Sequence, residues 1–167
     1  MAAPGEIAVS VIVGSSNDVQ FIKSTVDVLK DFKVNYSLQI LSAHRTLKRV
    51  TEFAEQARIN GIKIIIAASG GAAHLAGVIA ATTILPVIGV PVPTKHLEGM
   101  DSLLSTVQMP TGVPVATVGI GDAGAKNAAL LAIEILALTD RTLAEKLKTF
   151  RQVLEDKVLR DNKELSQ

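Results

Sequence analysis

The chain has 167 residues, a length typical of one domain, and a formal net charge of +1 from 17 basic and 16 acidic residues. This balance gives little support to a nucleic-acid-binding protein, and the absence of cysteine excludes disulfides and thiolate metal sites. Residues 1–6 have no basic segment leading into an apolar one, so we expect no secretory signal peptide and a cytoplasmic protein.

Apolar, β-branched runs alternate along the chain with segments of helical periodicity. The predicted strands lie at residues 7–13, 36–41, 62–68, 87–90 and 115–120. The predicted helices lie at residues 17–32, 46–60, 72–81, 97–107, 123–138 and 142–159. Ser16 or Asn17 is placed to cap the first helix, and Gly61 to end the second.

This alternation predicts an α/β fold with helices on both faces of a five-stranded parallel sheet. We expect a single domain over residues 1–167, with a core at about 7–138 and an extra C-terminal helix at about 141–160. That helix has only a narrow apolar stripe, so it either packs on its own domain or reaches over a neighbouring molecule.

Residues 64–94 contain no charged side chain and are long enough to span a bilayer. Glycine and proline residues divide this stretch into pieces of strand or short-helix length, and no basic cluster flanks it. We therefore predict strands that are buried on both faces of the sheet rather than a membrane span.

The loops after the first three strands carry the candidate chemistry, because ligands of open parallel sheets bind outside the carboxyl ends of the strands. In the first loop, residues 14–18, Ser15 and Ser16 offer hydroxyl donors beside a helix N-terminus, which attracts phosphate. Asp18 is placed to accept hydrogen bonds from ribose hydroxyls. The alternative for this loop is an ordinary helix cap with an acidic first turn.

The second loop, residues 42–46, places His44 beside Arg45. An arginine can bind phosphate or carboxylate through its fork of donors, and histidine can shuttle protons at neutral pH. The alternative is a structural histidine next to a surface arginine.

The third loop, residues 69–74, contains Gly70 and Gly71, which permit backbone conformations that expose amides to an anion. The alternative is a tight turn into the third helix, with His74 capping or packing.

Other motifs carry weaker signals. Lys95 and His96, in a loop at residues 93–99, are expected to be solvated rather than catalytic. Residues 119–124 resemble half of a dinucleotide fingerprint but follow the fifth strand, so a tight strand-to-helix turn is predicted instead. No histidines and acids show metal-ligand spacing, and a hydrolase using Ser42 or Ser69 lacks the GxSxG elbow.

Six ordered segments together resemble one family, the class I N5-carboxyaminoimidazole ribonucleotide mutases, which are the catalytic subunit of phosphoribosylaminoimidazole carboxylase. The segments are GSSND (14–18), SAHRT (42–46), GGAAHLAG (70–77), GMDSLLSTVQMP (99–110), GVPVATV (112–118) and GAKNAALLA (124–132). The chain departs from the family's usual residues at four positions: Asn17 for serine, Leu47 for proline, Ser69 for alanine and Ala76 for proline.

The resemblance implies a flavodoxin-like three-layer αβα sandwich that assembles as a homo-octamer and uses no metal and no organic cofactor. It implies an isomerase of purine biosynthesis that moves a carboxylate from N5 to C4 of the substrate's imidazole, with His44 as general acid and base. The substrate-binding residues it implies are Ser15, Asp18, Ser42, Arg45, Ser69, Gly70, Gly71, Ala72, Ala73, His74 and Leu75.

The resemblance also implies functional coupling to an ATP-dependent synthetase that makes the labile ribonucleotide substrate, with no nucleic-acid or membrane partner. Two other functions stay open at this point. One is a direct carboxylase that joins carbon dioxide to aminoimidazole ribonucleotide, and the other is a non-catalytic module that binds a nucleoside monophosphate.

Overall fold

Five parallel strands and seven helical segments build the computed structural model, which describes residues 6–165. The strands are β1 Val9–Val13, β2 Tyr36–Ile40, β3 Ile64–Gly70, β4 Val87–Val92 and β5 Ala116–Thr117. The helices are a 3-10 helix Ser16–Ile22, α1 Lys23–Asp31, α2 Leu47–Ala57, α3 Leu75–Thr82, α4 Met100–Val107, α5 Gly121–Ala137 and α6 Arg141–Leu165. Residues 1–5, on which most of the signal-peptide prediction rests, and residues 166–167 of the predicted domain lie outside the described range.

The strand order is β2-β1-β3-β4-β5, and every pair is parallel. Side chains alternate between the two faces of each strand, so Val11 joins the core on one face and Ile12 the core on the other. Helices α1 and α5 and the first turns of α6 cover one face, whereas α2 and α3 cover the opposite face. This confirms the predicted three-layer α/β fold with the flavodoxin-like order of strands.

The uncharged stretch 64–94 forms β3, α3 and β4, and both strands are buried along nearly their whole length. Within residues 6–165, no helix combines the length and the apolar character needed to cross a membrane. The prediction of buried parallel strands is therefore confirmed.

The first helix differs from the prediction, which placed one α-helix over residues 17–32. Ser15, rather than Ser16 or Asn17, is the cap: its Oγ accepts from the Asn17 amide at 3.2 Å, and its carbonyl accepts from the Asp18 amide at 3.1 Å. The second bond spans three residues, as in a 3-10 helix, and Gln20 Nε2 also donates to the Asn17 carbonyl at 3.0 Å. These local bonds compete with α-helical ones, so the regular α-helix starts only at α1.

The fifth strand is also shorter than predicted, because only Ala116 and Thr117 pair with β4. The chain then turns sharply into α5, and a Cβ on Gly124 would clash with the Gly119 carbonyl oxygen. Gly121 has a φ of +76°, which favours glycine. The prediction of a tight turn at residues 119–124 is confirmed.

The C-terminal helix, α6, packs on its own domain along its first half, as far as Arg151, whose Nη2 donates to Glu134 Oε1 of α5 at 2.6 Å. Leu143 and Leu147 are buried, and the Phe150 ring meets the Phe32 ring edge-on, with centroids 5.9 Å apart. The side chains of residues 151–165 are all exposed, including the outer part of the predicted apolar stripe at Leu154 and Val158. The helix thus extends beyond the predicted end near residue 160 and leaves the body of the protein.

Candidate active site

A cavity of about 470 Å³ lies at the carboxyl ends of β1, β2, β3 and β4. Its position follows from the topology: β1 leads to a helix on one face and β3 to a helix on the other, so a crevice opens between them. The structure places on its walls ten of the twelve site residues that the family resemblance implies: Ser15, Asp18, Ser42, His44, Arg45, Ser69, Gly70, Gly71, Ala72 and Leu75. The two exceptions are Ala73, which is fully buried, and His74. Ser16, the other hydroxyl donor predicted in the first loop, is exposed and does not line the cavity.

The β1 loop brings a half-buried carboxylate to the cavity. Burial raises the pKa of Asp18, because removal from water disfavours its charged form. Hydrogen bonds from the Ser15 backbone and hydroxyl, and the charge of Arg45, act in the opposite direction and lower this pKa. Asp18 is thus a half-buried hydrogen-bond acceptor that lies near the positive charge of Arg45.

The β2 loop is a turn closed by its own side chains. Thr46 Oγ1 accepts from the Ser42 amide at 2.9 Å, and the Thr46 amide donates to the Ser42 carbonyl at 2.9 Å. Arg45 bends back over this turn, with Nε 3.4 Å from Ser42 Oγ and Nη2 3.4 Å from the Gly14 carbonyl oxygen. These bonds are long, so the guanidinium can exchange them for a stronger anionic acceptor.

His44 and His74 form a pair across two loops. The distance between His44 Nε2 and His74 Nδ1 is 2.9 Å, and the two rings meet edge-on at 82° with centroids 5.0 Å apart. The bond occupies one nitrogen of His44, and it leaves Nδ1 as the nitrogen that can exchange a proton with a ligand. His74 therefore bonds to His44, the candidate acid and base, but does not itself line the cavity.

The β3 loop is anchored to α4. The Gly71 amide donates to Ser102 Oγ at 2.9 Å, and that hydroxyl donates to the Val92 carbonyl at 2.7 Å. The amides of Ala73 and His74 donate at 2.8 Å to carbonyls within the loop. An anion bound by this loop would compete with these internal acceptors, so the loop offers fewer ready donors than its glycines suggest.

Several residues of the cavity were not expected from the sequence: Asn17, Gln20, Phe21, Val92, Pro93, Thr94 and Lys95. Four of these residues, Val92 to Lys95, lie at the end of β4 or in the loop after it. The rule that ligands bind at the carboxyl ends of strands would have found them. Lys95 and His96 are both exposed, as expected, but Lys95 also lines the cavity, whereas His96 does not. In the described part of the chain, no three histidine or acidic side chains are arranged to hold a metal ion.

Comparisons of the sequence and of the fold with known proteins point to one family. A model of the AIR carboxylase family matches residues 8–157. A protein of Saccharolobus solfataricus named N5-carboxyaminoimidazole ribonucleotide mutase is 54% identical over 151 residues, which cover 90% of this chain and 94% of that protein. A Bacillus subtilis protein of the same name is 54% identical over 157 residues, 94% of this chain and 97% of its own.

A crystal structure of Treponema denticola PurE superposes with a TM-score of 0.87 at 28% sequence identity, over 96% of this chain and 99% of that one. The sequence matches and this superposition confirm the resemblance that the six motifs indicated. The family model spans most of the chain, including every strand and every loop of the cavity. The chain therefore belongs to the AIR carboxylase family.

Proposed function

We propose that this protein is a mutase that converts N5-carboxyaminoimidazole ribonucleotide into 4-carboxy-5-aminoimidazole ribonucleotide in purine biosynthesis. The relatives that share about half of its residues carry the name of this mutase. The observation that carries the proposal is the position of His44, on the wall of the cavity and hydrogen-bonded to a second histidine.

The substrate has a phosphate at one end and a carboxylate at the other, and the walls of the cavity match both. The guanidinium of Arg45 and the hydroxyl of Ser15, which donates to Asp18 in this structure, are the donors that we place against the phosphate. Asp18 accepts from the ribose hydroxyls. The base and the carboxylate lie against Ser42, Ser69, the Gly70–Ala72 backbone and Leu75.

The first chemical step breaks the bond between N5 and the carboxylate carbon. Protonated His44 gives its proton to N5, the electron pair of the breaking bond stays on nitrogen, and carbon dioxide and aminoimidazole ribonucleotide result. Neutral His44 and neutral carbon dioxide are then held together in the cavity.

The second step joins the same carbon dioxide to C4. The electron-rich C4 attacks carbon dioxide, a carbon–carbon bond forms, and His44 removes the C4 proton to restore the aromatic ring. The histidine ends the cycle protonated, as it began, so the reaction needs no net supply of protons. Because one group serves both steps, we expect His74 to act by holding the His44 ring and its tautomer in place.

Further parts of the proposal concern assembly and cellular context. Exposed apolar side chains on α4 and α6, among them Met100, Leu104 and Val158, support an assembly of copies, which we propose to be a homo-octamer. We further propose a cytoplasmic enzyme that acts without metal or organic cofactor, functionally coupled to the synthetase that supplies its substrate. Light scattering on the purified protein tests the octamer.

A direct carboxylase is the second candidate, because the matching family model is described as AIR carboxylase. The purified protein should be given fresh N5-carboxyaminoimidazole ribonucleotide without bicarbonate, and separately aminoimidazole ribonucleotide with bicarbonate. Ultraviolet absorbance follows the product against the non-enzymatic background. The mutase predicts faster conversion of the first substrate; faster conversion of the second would establish the carboxylase, and binding without conversion would indicate a binding module.

A further inference from the structure

The loop between β4 and α4 supplies the fourth wall of the cavity and places a lysine on it. Thr94 fixes the start of this loop: its hydroxyl donates to Asp101 Oδ1 at 2.7 Å and accepts from the Gly99 amide at 3.1 Å. One threonine thus ties the two ends of the loop to each other and to the first turn of α4. Lys95, the next residue, lines the cavity from this fixed point.

The ammonium group of Lys95 has no acidic partner in the described part of the chain. The salt bridges within residues 6–165 belong to Lys23, Lys48, Lys148 and Arg151. The carboxylate of Asp101, close to Lys95 along the loop, already accepts from Thr94. A cation that borders a cavity without a partner is available to an anionic ligand.

The two cations of the cavity lie on different walls. Arg45 belongs to the β2 loop and contacts the Gly14 carbonyl of the β1 loop. Lys95 belongs to the β4 loop, which adjoins the β3 loop: a Cβ on Gly70 would lie 3.6 Å from the Thr94 methyl carbon. The order of the strands therefore separates the cations across the width of the cavity.

We infer that the Lys95 ammonium binds the carboxylate of the substrate and of the product, at the end of the cavity opposite to the phosphate. This inference rests on the proposed function, which places the phosphate near Arg45 and the base near the β3 loop. A ligand with one anionic group at each end satisfies both cations at once. The aminoimidazole ribonucleotide that forms between the two steps has no carboxylate and would leave Lys95 unpaired.

The same reasoning predicts a kinetic signature. The carboxylate is charged in substrate and product but becomes neutral carbon dioxide in between, so Lys95 stabilises the bound ground states more than the decarboxylated stage. Removing an interaction of this kind weakens binding without slowing the chemical steps. Lys95 would thus determine affinity for carboxylated ligands and not serve as an acid or a base.

The test compares two ligands on two variants and a control. Binding of 4-carboxy-5-aminoimidazole ribonucleotide and of aminoimidazole ribonucleotide is measured by calorimetry on the wild-type protein, Lys95→Gln and Lys95→Arg. His96→Gln, in the same loop but outside the cavity, is the matched control. We expect Lys95→Gln to raise the dissociation constant of the carboxylated ligand about fivefold to tenfold, and that of aminoimidazole ribonucleotide less than twofold. Lys95→Arg should restore most of the lost affinity, because it keeps the positive charge.

Equal weakening of both ligands, or no weakening of either, would overturn the assignment of Lys95 to the carboxylate. In turnover, Lys95→Gln should raise KM by a similar factor and leave kcat unreduced; a fall in kcat at unchanged KM would also contradict it. Failure of the wild-type protein to bind either ligand would reject the proposed function itself. If the wild-type protein binds both ligands and Lys95→Gln lowers the two affinities equally, only the role of Lys95 is rejected.

Discussion

The two ends of the sheet each carry a cavity, and their linings differ. The cavity at the carboxyl end has a volume of about 470 Å³, and polar loop side chains that include His44, Arg45 and Lys95 line it. At the amino end, about 320 Å³ lie between α1, β1 and the start of α6, over apolar groups such as Phe32 and Leu143. There Lys146 Nζ donates to the Phe32 carbonyl at 2.6 Å, and Asp140 Oδ1 caps α6 by accepting from two amides.

We infer from this difference that the carboxyl end serves catalysis and the amino end serves stability. Polar groups at the amino end close helices and tie α6 to the domain, so a substitution there should cost folding free energy. The charged and titratable side chains at the carboxyl end, such as His44, Arg45 and Lys95, are exposed, so a substitution there should cost activity and leave folding nearly unchanged. The following predictions test this separation, starting with the largest effect.

Replacement of His44 by asparagine should have the largest effect on catalysis. Asparagine cannot exchange a proton at neutral pH, so we expect kcat to fall by about 10³-fold. The free energy of unfolding should change by less than about 0.5 kcal/mol, because the His44 side chain is exposed. His96→Asn is the matched control and should keep normal activity; normal turnover by His44→Asn would remove His44 from the mechanism.

Leu143→Ala should have the largest effect on stability. The side chain is 8% exposed and joins the core beneath α6. Its truncation should lower the free energy of unfolding by about 2–4 kcal/mol in denaturant titration, while kcat of the folded protein stays within twofold. Leu138→Ala, at a side chain 83% exposed, should change stability by less than about 0.5 kcal/mol. A large loss of kcat in Leu143→Ala without a loss of stability would contradict the separation of the two ends.

His74→Ala should lower kcat about tenfold, since it removes the hydrogen bond that holds the His44 ring. KM should change little, because His74 does not line the cavity. His74→Asn retains a short side chain with hydrogen-bonding capacity and should recover part of the lost kcat. If the main effect is a rise in KM, His74 contacts the substrate directly and is not a positioning residue.

Asp18→Asn should have a small effect on stability that depends on pH. Burial raises the pKa of Asp18 above 3.8, so the folded protein holds this proton more tightly than the unfolded chain does. Its contribution to stability is therefore complete below about pH 3.8 and is lost as the pH rises through the raised pKa of the folded state. We expect Asp18→Asn to be slightly more stable than the wild-type protein near neutral pH and to lose this advantage in acid. Thermal unfolding across pH measures the difference, and an advantage that grows in acid would show that the sign is wrong.

The architecture could be predicted from the sequence because strands buried on both faces are continuous apolar runs, and glycine and proline mark where they end. The uncharged run at 64–94 was divided correctly into two strands and a helix for this reason. The 3-10 helix was missed because the hydroxyl and carbonyl of Ser15 bond locally, an effect that apolar spacing does not reveal.

The site could be predicted only in part. Residues of one loop, such as His44 and Arg45, are adjacent in the chain, and their motif indicates their position. The contact between His44 and His74 joins residues 30 apart, and it depends on how two loops cross the carboxyl edge of the sheet. Lys95 was expected to be solvated, and the side chain is exposed, but it also lines the cavity because its loop follows the carboxyl end of β4. The bonds of Thr94 that fix the start of this loop could not be predicted from the sequence.

The most direct test of the central claim follows the carboxylate itself. N5-carboxyaminoimidazole ribonucleotide labelled with carbon-13 in its carboxylate is mixed with excess protein in buffer that contains unlabelled bicarbonate, and the product is analysed by mass spectrometry. If the cavity holds carbon dioxide between the two steps, most of the product retains the label. A product whose carboxylate comes from the unlabelled bicarbonate would contradict the proposed transfer within one cavity.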